Sequence, residues 1–275
     1  MTTYVDSDKH QKHFHYEHQT RKLNHKDYDE FEGKKFHNVR KNQHHKDILK
    51  AIGRVGLCVN DKPCDSIPVA DLDNVCFILC NTYEHKNVDL GVGPLNDTQM
   101  IGVNMHRRGF KVFYLVSPRK EEFINYCQFF SQNTQNKLVI FYTGRGFLSD
   151  GEHTNIMFND GNATPQELGQ AISQANPSNH IVLITDCCTG GSAFDVRENP
   201  HDIVSLGICK PADEKDRHER RTHGVFTYYL CKILNEAPDI TPAALVDRMN
   251  PPLKRFDASL ICHETNPELD SVPLF

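Results

Sequence analysis

The stretch IVLITDCCTGGS, Ile181 to Ser192, constrains the fold more than any other in the chain. Four aliphatic residues and Thr185 run without polar alternation, which suits a strand buried on both faces in a helix-covered parallel sheet. In open α/β sheets such strands deliver functional groups at their carboxyl ends, where the chain turns out of the sheet. Asp186, Cys187 and Cys188 are therefore expected at a mouth. Gly190 and Gly191 would let the backbone turn sharply there and bring amide N–H groups close to a bound carbonyl, as an oxyanion hole requires. The same residues also read as a structural Cys pair at a strand end, since buried cysteine packs as a small hydrophobe.

Upstream and downstream of this strand the chain alternates apolar runs with helical segments. Strands are expected at Val75 to Cys80, Lys111 to Val116, Lys137 to Thr143, Ile203 to Cys209 and Ser259 to His263. Helices are expected from Asn96 or Asp97 as a cap to Arg108, from the Ser117-Pro118 start through Phe130, from the Thr164–Glu167 capping box to about Asn176, over Gly224 to Asn235, and from Thr241-Pro242 to before Pro251. A hairpin-like piece at Asn155 to Phe158 closes on the turn Asn159-Asp160-Gly161. This order predicts one α/β domain built from right-handed βαβ units.

Residues 1 to 47 differ, with eight of the sixteen His, ten Lys and Arg against eight acids, and hardly any aliphatic side chains. Such a stretch cannot build a core and reads as a polar N-terminal extension. Residues 48 to 71 read as a connector, which takes in all but the first residue of the short amphipathic piece DILKAIGRVGL, and 72 to 275 as the folded domain. A net charge of -5 with pI near 6.3 gives no electrostatic ground for nucleic acid or an anionic membrane as a partner. With no long apolar run and no h-region in the first residues, an intracellular, cytoplasmic protein is expected, with the nucleus also open. The ten Cys form no CxxC pair and fall mostly in apolar segments, so reduced thiols are expected rather than disulfides or a metal site.

Six segments, in order, carry a resemblance: CFILCNTYEH, GVGPLNDTQMIGVNMHRRGFKVFYL, VIFYTGRGF, LITDCCTGGSAF, HGVFTYYLCKIL and NPELDSVPLF. The chain resembles the caspase and metacaspase clan of cysteine endopeptidases, the metacaspases most closely, over roughly 72 to 275. The resemblance implies a caspase-like α/β/α sandwich, with a mostly parallel six-stranded sheet and helices on both faces. It implies Cys188 as the nucleophile, an oxyanion region near Gly190, and a first pocket for Arg or Lys lined by Asp97 and Asp186. Read from the residues alone, Asp97 is equally a helix cap and Asp186 a turn-forming residue.

One departure from the family pattern is chemical. Where the resemblance implies a catalytic histidine between two glycines, the turn reads Thr143-Gly144-Arg145-Gly146. Peptide cleavage by a thiol needs a group that takes the thiol proton and then returns one to the leaving amine. A guanidinium, protonated up to a pKa above about 12, does neither at neutral pH. Arg145 could still favour a Cys188 thiolate electrostatically. His153, His180 and His223 are the other histidines weighed as substitutes, and none has the placement the dyad requires.

Two readings follow: a catalytically impaired or dead homologue that binds or regulates a peptide or protein partner, and an active endopeptidase cleaving after Arg or Lys. A plain α/β ligand-binding domain would require six ordered matches by chance. A monomer is expected. No cofactor is required; calcium enters by the resemblance alone, with Asp150, Asp160 and Asp195 as scattered candidates.

Overall fold

Apolar runs with strand propensity, interspersed with amphipathic helices, fold into three layers. The structure, a computed structural model, describes residues 41–83, 90–148, 154–187, 193–196, 199–209 and 223–275. The helices among these are α1 (Lys41–Ile52), α2 (Gly93–Arg107), α3 (Lys120–Asn133), α4 (Pro165–Ile172), α5 (Val225–Glu236) and α6 (Pro242–Leu253). The strands are β1 (Leu57–Cys58), β2 (Asn74–Cys80), β3 (Lys111–Val116), β4 (Lys137–Thr143), β5 (Gly146–Leu148), β6 (Thr154–Phe158), β7 (Gly161–Ala163), β8 (His180–Asp186), β9 (Ile203–Cys209) and β10 (Ser259–Glu264).

The main sheet runs β1-β3-β2-β4-β8-β9-β10, and only β10 is antiparallel to its neighbour. Seven strands, not six, therefore make the sheet. The added one is the two-residue edge strand β1, too short to show any periodicity, inside the stretch read as a connector. That stretch also supplies Ile48, Ile52, Val55, Val59 and Ile67 to the core. Of the N-terminal extension, residues 1–40 lie outside the described residues, and α1 begins at its end.

The period-two pattern of the strands divides the core. Cys76, Ile78 and Cys80 face a cluster with α1, α2, α5 and α6, while Val75, Phe77 and Leu79 face one with α3 and α4. On the second face Phe77 packs against Phe123, Tyr126 and Phe130 with ring centroids 5.0 to 5.8 Å apart. Each such ring contributes roughly 1.5–3 kcal/mol by burial. This packing holds α3 against β2.

Several helix ends differ from the expected ones. α2 starts at Gly93 with Pro94 in its first turn, so Asn96 and Asp97 lie inside the helix, both buried, and neither caps it. Ser117 has φ 47°, a left-handed conformation unsuited to an N-cap, and α3 begins at Lys120 after Arg119. The first N–H of α3 donates instead to Asp160 Oδ1 at 3.0 Å. α6 continues through Pro251 and Pro252 to the buried Leu253, both prolines lying in its last turn. α4 keeps the predicted capping box of Thr164 and Glu167 but ends at Ile172. The segment after β4 forms a separate antiparallel sheet, β5-β6-β7, whose β6–β7 hairpin turns at 159–160.

Candidate active site

The central parallel strands end at one level, since Cys80 of β2 is in register with Thr143 of β4, and Thr143 with Asp186 of β8. The backbone carries this alignment past the strand ends: Asn81 N–H donates to Thr143 O at 3.0 Å and Gly144 N–H to Asp186 O at 3.3 Å. The turn 143–146 and the end of β8 thus meet at the carboxyl edge of the sheet, where the sequence places its candidate residues.

The turn is held by two phenols. Arg145 N–H donates to Tyr83 Oη at 2.6 Å, and Tyr142 O–H donates to Arg145 O at 2.6 Å. Arg145 O also accepts from Met157 N–H at 3.0 Å, and Met157 O accepts from Tyr83 O–H at 3.1 Å and Asn81 Nδ2–H at 2.7 Å. Burial pushes the Tyr83 phenol up to about 12 and raises that of Tyr142 as well, so both remain donors at neutral pH. Arg145 itself is half-buried. Gly146 is required here for space: a Cβ on it would lie 2.5 Å from Cys187 Sγ. Cys187 accordingly turns into the core with 4% of its surface exposed. Cys188, Gly190, His153 and Asp150 lie outside the described residues.

On the other face of the sheet Asp97 and Asp186 come together around Gly224. Asp97 Oδ1 accepts Gly224 N–H at 2.8 Å and Oδ2 accepts Thr143 Oγ1–H at 3.0 Å. Asp186 Oδ2 accepts from Thr227 twice, from N–H at 3.1 Å and from Oγ1–H at 2.5 Å. A Cβ on Gly224 would overlap that same Oδ2, so only glycine lets the start of α5 approach so closely. Burial holds the Asp97 carboxyl well above the usual carboxylate range, and the neighbouring Asp186 pushes it further. Asp186 is also raised by burial, against the opposing pull of the Thr227 hydrogen bonds and of His223. Two carboxylates sharing a site out of water strain against each other, and a cation between them would relieve both.

His223 precedes this glycine. Its ring stacks on Tyr228 with centroids 5.1 Å apart, and its Nδ1 lies 3.3 Å from Gly224 O. It therefore belongs to the neighbourhood of the acid pair. His180 stands at the opposite end of the sheet, in register with Lys137, and burial lowers its imidazole pKa. Asp160 is occupied as the cap of α3, while the Asp195 N–H donates to Pro165 O. Among the described residues no three His, Cys, Asp or Glu side chains form a group that could hold a metal.

Sequence reasoning missed Tyr83, Tyr142, Thr227 and Gly224 as parts of this region, and placed Thr143 in the turn without its hydrogen bond to Asp97. Tyr142 and Thr227 sit in apolar runs where a hydroxyl passes for core filling, and Tyr83 follows β2 in a polar stretch with no local signal of its use. Gly224 was legible only as the start of a helix.

A mostly parallel sheet between two helical layers, with paired acids and a pinned glycine turn at its carboxyl edge, defines a caspase-like α/β domain. The chain belongs to the caspase-domain peptidase family, whose profile matches residues 73–274. No curated protein matches it. Among solved structures it is similar to caspase-1 from Spodoptera frugiperda, at 12% identity and a TM-score of 0.55, covering 71% of this chain and 89% of that one. It is similar also to the Drosophila initiator caspase Dronc, at 12% identity and a TM-score of 0.51, covering 70% and 80%. A protein from Geobacter sulfurreducens aligns at 14% identity and a TM-score of 0.50, covering 74% and 98%. At such identities these likenesses are of fold.

Proposed function

We propose that this caspase-family domain binds a peptide or protein partner through a pocket for a basic side chain while its capacity for peptide hydrolysis is impaired or lost. The observation that carries the reading is Arg145, which occupies the turn where the family resemblance places the general acid and base. Tyr83 and Tyr142 hold the backbone of that turn from both sides, so position 145 is fixed. A guanidinium fixed there supplies charge but exchanges no proton near neutrality. Loss of general acid–base help costs about 10² to 10⁴ in rate.

The acid pair favours the metacaspase side of the resemblance, since Asp97 and Asp186 offer a desolvated anionic site to a cation and no counter-charge for an acidic side chain. The same pair supports a second reading, an active endopeptidase cleaving after Arg or Lys with Cys188 as nucleophile. Assays on Arg- and Lys-terminated reporter peptides, with and without calcium, separate the two. Impairment predicts no turnover above a Cys188→Ala control, and Cys188-dependent turnover at rates ordinary for an enzyme, above about 1 s⁻¹, would overturn it.

A further inference from the structure

Resting on the basic-pocket reading above, we infer that the site discriminates between the two basic side chains and prefers lysine to arginine. Four carboxylate oxygens belong to the pair, and three are already engaged: both of Asp97, by Gly224 N–H and Thr143 Oγ1–H, and Oδ2 of Asp186, twice by Thr227. Asp97 is buried to 2% exposure, and Gly224 lies against Asp186 Oδ2 so closely that no side chain fits there. Among the described residues, Asp186 Oδ1 is the one oxygen of the four that no donor occupies, and Asp186 is only half-buried.

A guanidinium brings five N–H donors in a rigid fork and binds a carboxylate best when both oxygens lie open side by side. Here that face is closed, so arginine meets one oxygen end-on and keeps several donors without partners. An ammonium brings three donors on a compact charge that needs no paired acceptor. An unpaired donor taken out of water is costly, and this sets the preference. The weaker hydration of guanidinium works in the other direction and keeps the margin modest.

The test is fluorescence polarisation of the full-length protein with labelled hexapeptides identical except for one Lys, Arg or norleucine, in the Cys188→Ala background to exclude cleavage. Lys is expected to bind about fivefold tighter than Arg, the equivalent of one hydrogen bond, with norleucine weaker than both. Asp186→Asn should remove the advantage of Lys over norleucine. Equal or tighter binding of Arg overturns the discrimination while leaving a basic pocket intact, as does a Lys preference that survives Asp186→Asn. No binding, or norleucine binding as well as Lys, overturns the basic pocket itself and the inference with it.

Discussion

Tyr83 Oη receives the N–H of Arg145 at 2.6 Å across a sequence separation of 62 residues. Tyr83 holds this position with φ 53°, in the left-handed region that costs a non-glycine residue about 1–2 kcal/mol. The hydroxyl offsets that strain through its contacts with Arg145, Tyr142 and Met157. Tyr83→Phe keeps the ring and removes the acceptor, leaving the Arg145 N–H to seek another partner. The expected loss is about 1–3 kcal/mol of stability by urea denaturation, and a change below about 0.5 kcal/mol, the ordinary surface range, would show that the clamp does not hold the turn.

The acid pair makes stability depend on pH in a defined direction. Both carboxyls titrate above their ordinary values, so the folded protein holds protons that the unfolded chain has shed. Their contribution to stability is complete below the ordinary carboxylate value and is lost as pH rises through the raised ones. Asp97→Asn does not titrate and can still accept from Gly224. Its stability relative to the native protein should grow with pH, by at most about 1.4 kcal/mol per pH unit for one proton, while it weakens binding of a basic peptide. Unfolding curves of both proteins between about pH 4 and pH 8 decide this, and a constant difference would contradict the paired-carboxyl account.

The two adjacent thiols should differ sharply in reactivity. Cys187 Sγ lies under Gly146 and in the apolar cluster that holds Leu183 and Phe194. Cys188 lies outside the described residues, and the family resemblance makes it the nucleophile, which has to be reachable by substrate. Iodoacetamide with peptide mapping should modify Cys188 first and leave Cys187 until unfolding. The opposite order would remove Cys188 from the role proposed for it.

How much of this was legible in the sequence follows from the physics of each signal. Strands β2, β4 and β8 could be read because continuous apolar runs of four to six residues within seven-residue strands have few alternatives, and the Thr164–Glu167 box because its reciprocal bonds are local. The start of α2 was misplaced because Pro94 competes with Asn96 and Asp97 as a start signal, and the carboxylate of Asp97 is used across the domain by Gly224 instead. Long-range use of a polar side chain leaves no local trace. Tyr83 and Tyr142 illustrate this most plainly: one follows a strand and one ends an apolar run, and only the fold brings their hydroxyls 3.1 Å apart.

Arg145→His tests the chemistry most directly. The backbone at 145 is tied at both its N–H and its carbonyl, so an imidazole introduced there would leave the turn in the direction arginine now takes. It would supply the proton acceptor for the thiol and the proton donor for the leaving amine that a guanidinium cannot. Cleavage after Lys or Arg should then appear or rise by at least about 10², and Cys188→Ala in the same background should abolish it. If the variant remains silent while its stability and its affinity for basic peptides are unchanged, the binding role stands and the loss of catalysis extends beyond this residue. If the unmodified protein already cleaves an Arg reporter in a Cys188-dependent manner within about tenfold of the variant, the impairment itself is refuted, because a missing acid and base should cost more than that.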